Sequence, residues 1–354
     1  MQPIEAYGYY FTEVGSPLEK KAFTIEEVEK DDVVVKVAGC GLCHTDLGFM
    51  SGKVRTNTEL PLILGHEISG QVVAAGPSFE KLTGKNVIIP AVLPCGECDL
   101  CQSGRSNICR KQQMPGNDFN GGFASHVTVP GRFLCHLSDD IGKFKVSQLS
   151  VIADAVTTPY QSLQRSNLQE GDLAVVIGVG GIGTYMAQLA KDAGSTVIAI
   201  DIDDAKLEKA MELGAHFSIN SKDLSEKDIK EKVRTLAKEN KLPRYRWKIF
   251  ETSGAAEGQK TAFSLLSFAG VIGIVGFTMD KVSIRLSNVM AFDADLFGNW
   301  GCKPEYYPAV VEKVLQGRIN LLDNIEEHPL DSINEIVSLA FDHKLAKRAI
   351  FTPE

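Results

Sequence analysis

The sequence predicts an α/β protein of two domains, one built on a doubly wound parallel sheet and the other shaped around metal. Three observations carry this prediction. The chain has 354 residues, more than one ordinary hydrophobic core spans. The apolar run Leu173–Ile177, the turn Gly178-Val-Gly180-Gly181-Ile-Gly183 and a second apolar run, Thr196–Ile200, read as strand, glycine-rich turn, helix and strand. Finally, Cys95-Gly-Glu-Cys98-Asp-Leu-Cys101 followed by Cys109 places half of the eight cysteines in one short loop.

Composition narrows the class. Hydrophobic residues at 44% and charged residues at 23% are globular values and exclude a disordered or fibrous chain. A net charge of -8 argues against nucleic acid as a partner. The first residues carry no basic and apolar leader, and no apolar run is long enough to span a bilayer, so no membrane is expected and the location is read as cytoplasmic. Cysteines at metal-ligand spacing agree, because oxidising compartments tend to pair thiols.

Along the chain, residues 1–30 read as polar and irregular, and Asp31–Ala38 alternates like a strand before a glycine-rich turn holding Cys43, His44, Thr45 and Asp46. The run Pro61-Leu-Ile-Leu-Gly65-His66-Glu67 then enters an apolar strand. Cys43, His66 and Glu67 offer soft, borderline and hard ligands and make a second metal site. The loop Cys95, Cys98, Cys101, Cys109 can surround one tetrahedral zinc with four thiolates. Such a closed site has no open position and shapes the lobe without chemistry. Iron–sulfur ligation begins with the same spacing but continues with three residues and a Cys-Pro, whereas here the fourth cysteine comes after seven residues and precedes Arg110. Segment 121–130 reads as a strand carrying a packed His126; Cys40, Cys135 and Cys302 read as buried thiols.

In the second domain the glycines let the backbone approach a pyrophosphate, whose charge the helix N-terminus stabilises. Asp201 lies 23 residues beyond Gly178, at the end of the second strand. There it accepts ribose hydroxyls and repels a 2′-phosphate, which selects NAD over NADP. Residues 221–241 read as a charged, solvated helix, and Trp247–Gly254 and Gly270–Phe277 as further strand-and-turn units.

Gly41-Leu42-Cys43-His44-Thr45-Asp46, Gly65-His66-Glu67, the four-cysteine loop and the Gly178–Gly183 turn occur in the order found in zinc-dependent medium-chain alcohol dehydrogenases. The sequence resembles that family from end to end. The resemblance implies a barrel-like (GroES-like) catalytic domain over residues 1–152 and 298–354 and a doubly wound Rossmann cofactor domain over 153–297. It also implies two zincs per subunit, one catalytic and one structural, with NAD bound by Gly178, Gly180, Gly181, Gly183, Asp201, His44 and Arg348, and a homodimer or homotetramer. Thr45 becomes the first proton acceptor, but the His that ends the relay in several relatives is here Gly48.

One segment departs from the pattern. Where many members place a cysteine as third ligand of the catalytic zinc, Leu149–Tyr160 has Ala153, and Asp154 is the nearest group able to bind metal. Asp154 therefore either completes a Cys43, His66, Asp154 site or serves as a helix cap or a partner to a ligand; Glu67 is then the spare ligand. A zinc held by three protein groups with an open position is a Lewis acid for alcohol oxidation by a nicotinamide. Within the family, Leu149–Tyr160, Met114–Asn117, Met290–Ala294 and Trp300–Pro308 resemble dehydrogenases of cyclic allylic alcohols carried as coenzyme A thioesters. Lys53, Arg55, Lys111 and Lys303 are candidates to meet the phosphates. An enone product is electrophilic at its β-carbon, so with Asp154 or Glu67 as base the site is also expected to add water to it. The alternatives are a dehydrogenase of another small alcohol or polyol, or a non-catalytic NAD-binding zinc protein.

Overall fold

The run Leu173–Ile177 is buried along its whole length, as a strand covered on both faces must be. It lies at the centre of a six-stranded, all-parallel sheet in the order Phe217–Asn220, Thr196–Asp201, Leu173–Ile177, Lys248–Glu251, Val271–Ile274, Asp295–Gly298. Numbered along the chain this is 3-2-1-4-5-6, the doubly wound order, and the direction of winding reverses beside Leu173–Ile177. Val175, Ile198, Ile249 and Ile272 form the sheet side of the core with Trp247. The helix Glu226–Glu239 contributes Ile229, Val233 and Ala237 to it. The charged stretch is thus amphipathic, with an apolar stripe at a spacing of four, and a capping box of Ser225 and Asp228 fixes its start.

The computed structural model describes residues 2–354, which divide into two compact units. One runs to Thr157 and includes Gly301–Gln316 and Leu321–Glu354; the other holds Thr158–Trp300 and Gly317–Asn320. In the first unit the central strand is Asp32–Gly41, whose Val33, Val34 and Val35 are fully buried. It pairs antiparallel with Glu67–Ala75, His126–Pro130 and Arg348–Thr352 in a seven-stranded sheet. Register shifts between Val34 and Val35 and between Val37 and Gly39 interrupt that ladder; such bulges bend a strand and increase its twist.

The amino-terminal segment corrects the sequence reading. Ile4–Phe11 and Glu19–Ile25 are not irregular but form an antiparallel hairpin, extended by Leu62–Ile63 into a three-stranded sheet. Ala6, Tyr9 and Phe11 are buried, whereas the outer strand Glu19–Ile25 is largely exposed and begins with Glu19, Lys20 and Lys21. Charges on an edge strand block further pairing, and they hid the strand from a reading based on apolar alternation. The strand expected over 121–130 is shorter than read, covering His126–Pro130. Among the described residues no helix is long and apolar enough to cross a membrane.

Candidate active site and metal centres

The four-cysteine loop closes on itself. Cys98 precedes the short helix Asp99–Gln102 and Cys109 follows the turn Ser106–Ile108. The sulfurs stand 3.5 Å apart for Cys98 and Cys101, 3.6 Å for Cys98 and Cys109, 3.5 Å for Cys95 and Cys109, and 3.9 Å for Cys95 and Cys101. Four sulfurs each about 2.3 Å from one ion are about 3.8 Å apart, so the set has the size of a tetrahedral zinc shell. All four cysteines are free thiols. Backbone N–H groups of Glu97 and Cys98 lower the Cys95 pKa to about 6, while burial and neighbouring thiols push Cys101 up to about 12. A cation between the four sulfurs would hold them as thiolates.

The second cluster gathers Cys43, His66, Glu67 and Asp154, each with a ligand atom within 4.8 Å of the others. Cys43 lies at the N-cap of helix His44–Met50. His66 and Glu67 stand at the entry of the strand Glu67–Ala75, after Gly65 turns the chain at φ 95°, a conformation that favours glycine. Asp154 ends the 3-10 helix Val146–Ala153 and does not start a helix, so the capping alternative is not its role. That 3-10 helix is held to the sheet by Ser69, whose hydroxyl donates to the Val146 carbonyl at 2.6 Å. Asp154 Oδ2 is thereby brought 3.7 Å from Cys43 Sγ and 3.8 Å from His66 Nε2. These are edges of a tetrahedron whose bonds are about 2.0–2.3 Å. The sulfur, nitrogen and oxygen donors present fit a zinc.

Glu67 is fully buried. Its Oε1 accepts Arg348 Nη1 at 2.6 Å, while Oε2 is buried with no hydrogen-bond partner, and one of the two oxygens belongs to the cluster. A buried carboxylate oxygen with no donor is costly unless a cation meets it. Burial raises the Glu67 pKa to about 7 against the lowering effect of Arg348. For His66 burial opposes the charged ring, yet Asp46, Cys43 and Asp154 together hold its pKa well above the usual value.

Sequence reasoning passed over Asp46. It is fully buried and accepts the N–H of Cys43 at 3.0 Å and that of Gly65 at 3.2 Å, and its Oδ1 stands 3.3 Å from His66 Nδ1. One carboxylate thus braces both ligand-bearing turns and leaves Nε2 of His66 toward the cluster. Its signal was an acid three residues after a helix N-cap. Thr45 Oγ1 lies 3.7 Å from Cys43 Sγ, and Thr45 and His44 are exposed. Arg348, which the resemblance puts at the pyrophosphate, has Glu67 and the Leu42 carbonyl as partners.

In the other unit, Gly178 has φ 84° and its N–H donates to the Ile200 carbonyl at 2.8 Å. Gly180 has open space where a side chain would stand, and Gly181 is exposed. Gly183 begins the helix Gly183–Asp192. Asp201 Oδ2 accepts the Val179 N–H at 2.8 Å, and Oδ1 accepts those of Ile202 and Asp203 at 2.8 and 3.1 Å. The acid is fixed against the glycine turn at the end of its strand. Thr252 Oγ1 donates to the Ile177 and Gly178 carbonyls at 2.9 and 2.7 Å, tying the adjacent strand end to the same turn.

Comparison with known proteins identifies the family. Residues 29–139 match the family model described as alcohol dehydrogenase GroES-like domain, and residues 181–316 the one described as zinc-binding dehydrogenase. An alcohol dehydrogenase of Geobacillus stearothermophilus is 29% identical over 325 residues, 90% of this chain and 92% of that one. An uncharacterised zinc-type alcohol dehydrogenase-like protein of Haemophilus influenzae is 30% identical, with 80% of each chain covered. The crystal structure of the alcohol dehydrogenase of Aeropyrum pernix superposes with a TM-score of 0.86 at 26% identity, covering 98% of this chain and 100% of that one. The chain belongs to the zinc-type medium-chain alcohol dehydrogenases and is an oxidoreductase with a GroES-like and a Rossmann-like domain.

Proposed function

We propose that this enzyme, acting in the cytoplasm, oxidises the allylic ring alcohol of 6-hydroxycyclohex-1-ene-1-carbonyl-CoA to the 6-oxo enone with NAD, a step of anaerobic benzoyl-CoA degradation. The observation that carries the reading is Asp154 in the ligand cluster within a run, Leu149–Tyr160, that resembles the dehydrogenase of that substrate. The runs Met114–Asn117, Met290–Ala294 and Trp300–Pro308 support it. Lys53 and Arg55 are exposed and suit thioester phosphates, with Lys111 and Lys303 as further candidates.

Cys43, His66 and Asp154 would hold the catalytic zinc, and a carboxylate oxygen of Glu67 is the fourth donor in reach. When bound, the metal supplies Lewis acidity toward the substrate oxygen. Thr45 would take the hydroxyl proton, and a bound nicotinamide would supply the acceptor for the hydride from the carbinol carbon. With Gly48 in place of a relay histidine, the proton leaves through water or another group. Asp201, with both oxygens fixed, selects the unphosphorylated ribose. With Asp154 or Glu67 as base, water addition to the enone is a second activity of the same site.

NADH formation with the cyclohexene thioester beside simple alcohols and polyol phosphates tests the substrate. Turnover of the thioester alone supports it. Turnover only of alcohols or polyols supports a role like that of the D-arabitol-phosphate dehydrogenase of Enterococcus avium, 28% identical over 90% of this chain. Hydrated product from the enone without NAD tests the second activity; its absence removes it.

A homodimer or homotetramer is also part of the proposal. The strand Asp295–Gly298 ends its sheet with Leu296 40% exposed, and Leu286 at 65% and Met290 at 76% precede it in the chain; an open apolar edge favours pairing. Sedimentation of the parent and of Leu296→Lys measures it; a monomeric parent overturns it.

A further inference from the structure

The carbonyl of Ala153 is one bond from the nitrogen of Asp154, and it is the focus of an unusual convergence of donors. Ala153, Thr157 and Tyr307 are all fully buried. Tyr307 Oη–H donates to the Ala153 oxygen, and Thr157 Oγ1–H donates to the same oxygen at 3.3 Å. The Ala91 N–H is shared between Tyr307 Oη at 3.2 Å and the Ala153 oxygen at 3.5 Å. Cys302, 2% exposed, is hydrogen-bonded to Thr157. Carbonyls in the last turn of a helix have no partner within it, and one N–H or a water is enough to satisfy them. Here two hydroxyls are buried for this oxygen, and Tyr307 comes from 154 residues away.

The peptide joining Ala153 to Asp154 is a rigid plane. Holding its oxygen holds the nitrogen and Cα of Asp154, so that φ, χ1 and χ2 alone remain to place Oδ2 near Cys43 and His66. We propose that Tyr307 and Thr157 are positioning residues that aim the Asp154 carboxylate at the catalytic metal by clamping the Ala153 carbonyl. The proposal rests on Asp154 being a ligand. It gives a purpose to the segment Trp300–Pro308, which supplies Cys302 and Tyr307 but no ligand.

The test uses the zinc-loaded enzyme with Tyr307→Phe, Thr157→Val, Thr157→Ser and Asp154→Asn. Zinc release to a chromogenic chelator, the visible spectrum of the cobalt-substituted catalytic site and thermal unfolding are measured. Loss of a group that orients a ligand costs about 10–100-fold in metal affinity. Tyr307→Phe and Thr157→Val are expected to release one of the two zincs at least about 10-fold faster and to shift the cobalt bands, with the four-cysteine zinc released at the parent rate. Thr157→Ser, which keeps the hydroxyl, is expected to behave as the parent. A purely structural role lowers the melting temperature of Tyr307→Phe and Thr157→Val while zinc release and cobalt spectrum stay as in the parent; that result overturns the proposal. If Tyr307→Phe does not fold, the Thr157→Val and Thr157→Ser pair decides by the same measurements. Asp154→Asn separates the two claims: parent-like zinc release there refutes Asp154 as a ligand, whereas fast release there with parent-like Tyr307→Phe and Thr157→Val refutes the clamp alone.

Discussion

Arg348 Nη1 lies 2.6 Å from Glu67 Oε1, and the two side chains are 8% and 0% exposed. A carboxylate in this setting is tolerated because the guanidinium offsets its burial, and Arg348 also anchors the Leu42 carbonyl just before Cys43. Arg348→Met leaves the Glu67 carboxyl without its guanidinium partner and is expected to destabilise the protein by about 3–5 kcal/mol. Glu67→Gln with Arg348→Met should recover part of that loss. Chemical denaturation of the three variants checks it, and additive losses would show that the pair is uncoupled.

Removing one thiolate from the four-cysteine loop tests its structural role. Cys98→Ser is expected to leave one zinc in place of two and to lower the melting temperature of the unit that carries the loop. Metal analysis beside calorimetry reads both. A variant with two zincs and the parent's melting temperature contradicts the assignment.

In the proposed function, cofactor choice rests on Asp201. Ile202, the next residue, is 66% exposed and has space for a larger polar side chain. Asp201→Ala combined with Ile202→Arg removes a repulsive carboxylate and adds a phosphate partner worth about 1.5–3 kcal/mol. The NADP-to-NAD affinity ratio should rise by at least about 10-fold in fluorescence titrations.

Glu327 gives a pH signature. Burial works to raise its pKa, but bonds from Ser147 at 2.5 Å, Lys145 at 3.0 Å and Gln148 at 3.1 Å win and lower it from 4.5. The carboxylate is therefore preferred in the folded chain. Its stabilisation is present above the ordinary value and is lost as the pH falls through the lower folded one. Glu327→Gln should cost about 1–2 kcal/mol at neutral pH, and the gap to the parent should close in acid. A gap that persists unchanged at low pH refutes the charge-based account. Because these bonds hold the start of the 3-10 helix that ends at Asp154, zinc retention is a second readout.

Much of the site is legible in the order of the residues. The doubly wound sheet follows from apolar runs and a glycine turn at short spacing, and the four-cysteine centre from spacing alone, because both are closed by neighbours in the chain. The departure at Ala153 points to Asp154 by its chemistry. Two features are not legible in this way: the amino-terminal hairpin, whose outer strand carries charges, and the brace formed by Asp46, whose partners lie on two separate turns.

By itself the sequence determined the fold class, the four-thiolate loop and the donor types available for catalysis, since each is written in residues a few positions apart. Only the tertiary structure decided which donors meet. Asp154 joins Cys43 across 111 residues, Arg348 joins Glu67 across 281, and Tyr307 reaches Ala153 across 154. No local periodicity encodes such approaches: they exist because buried strands and a 3-10 helix pack in one arrangement, and packing is a property of the whole unit.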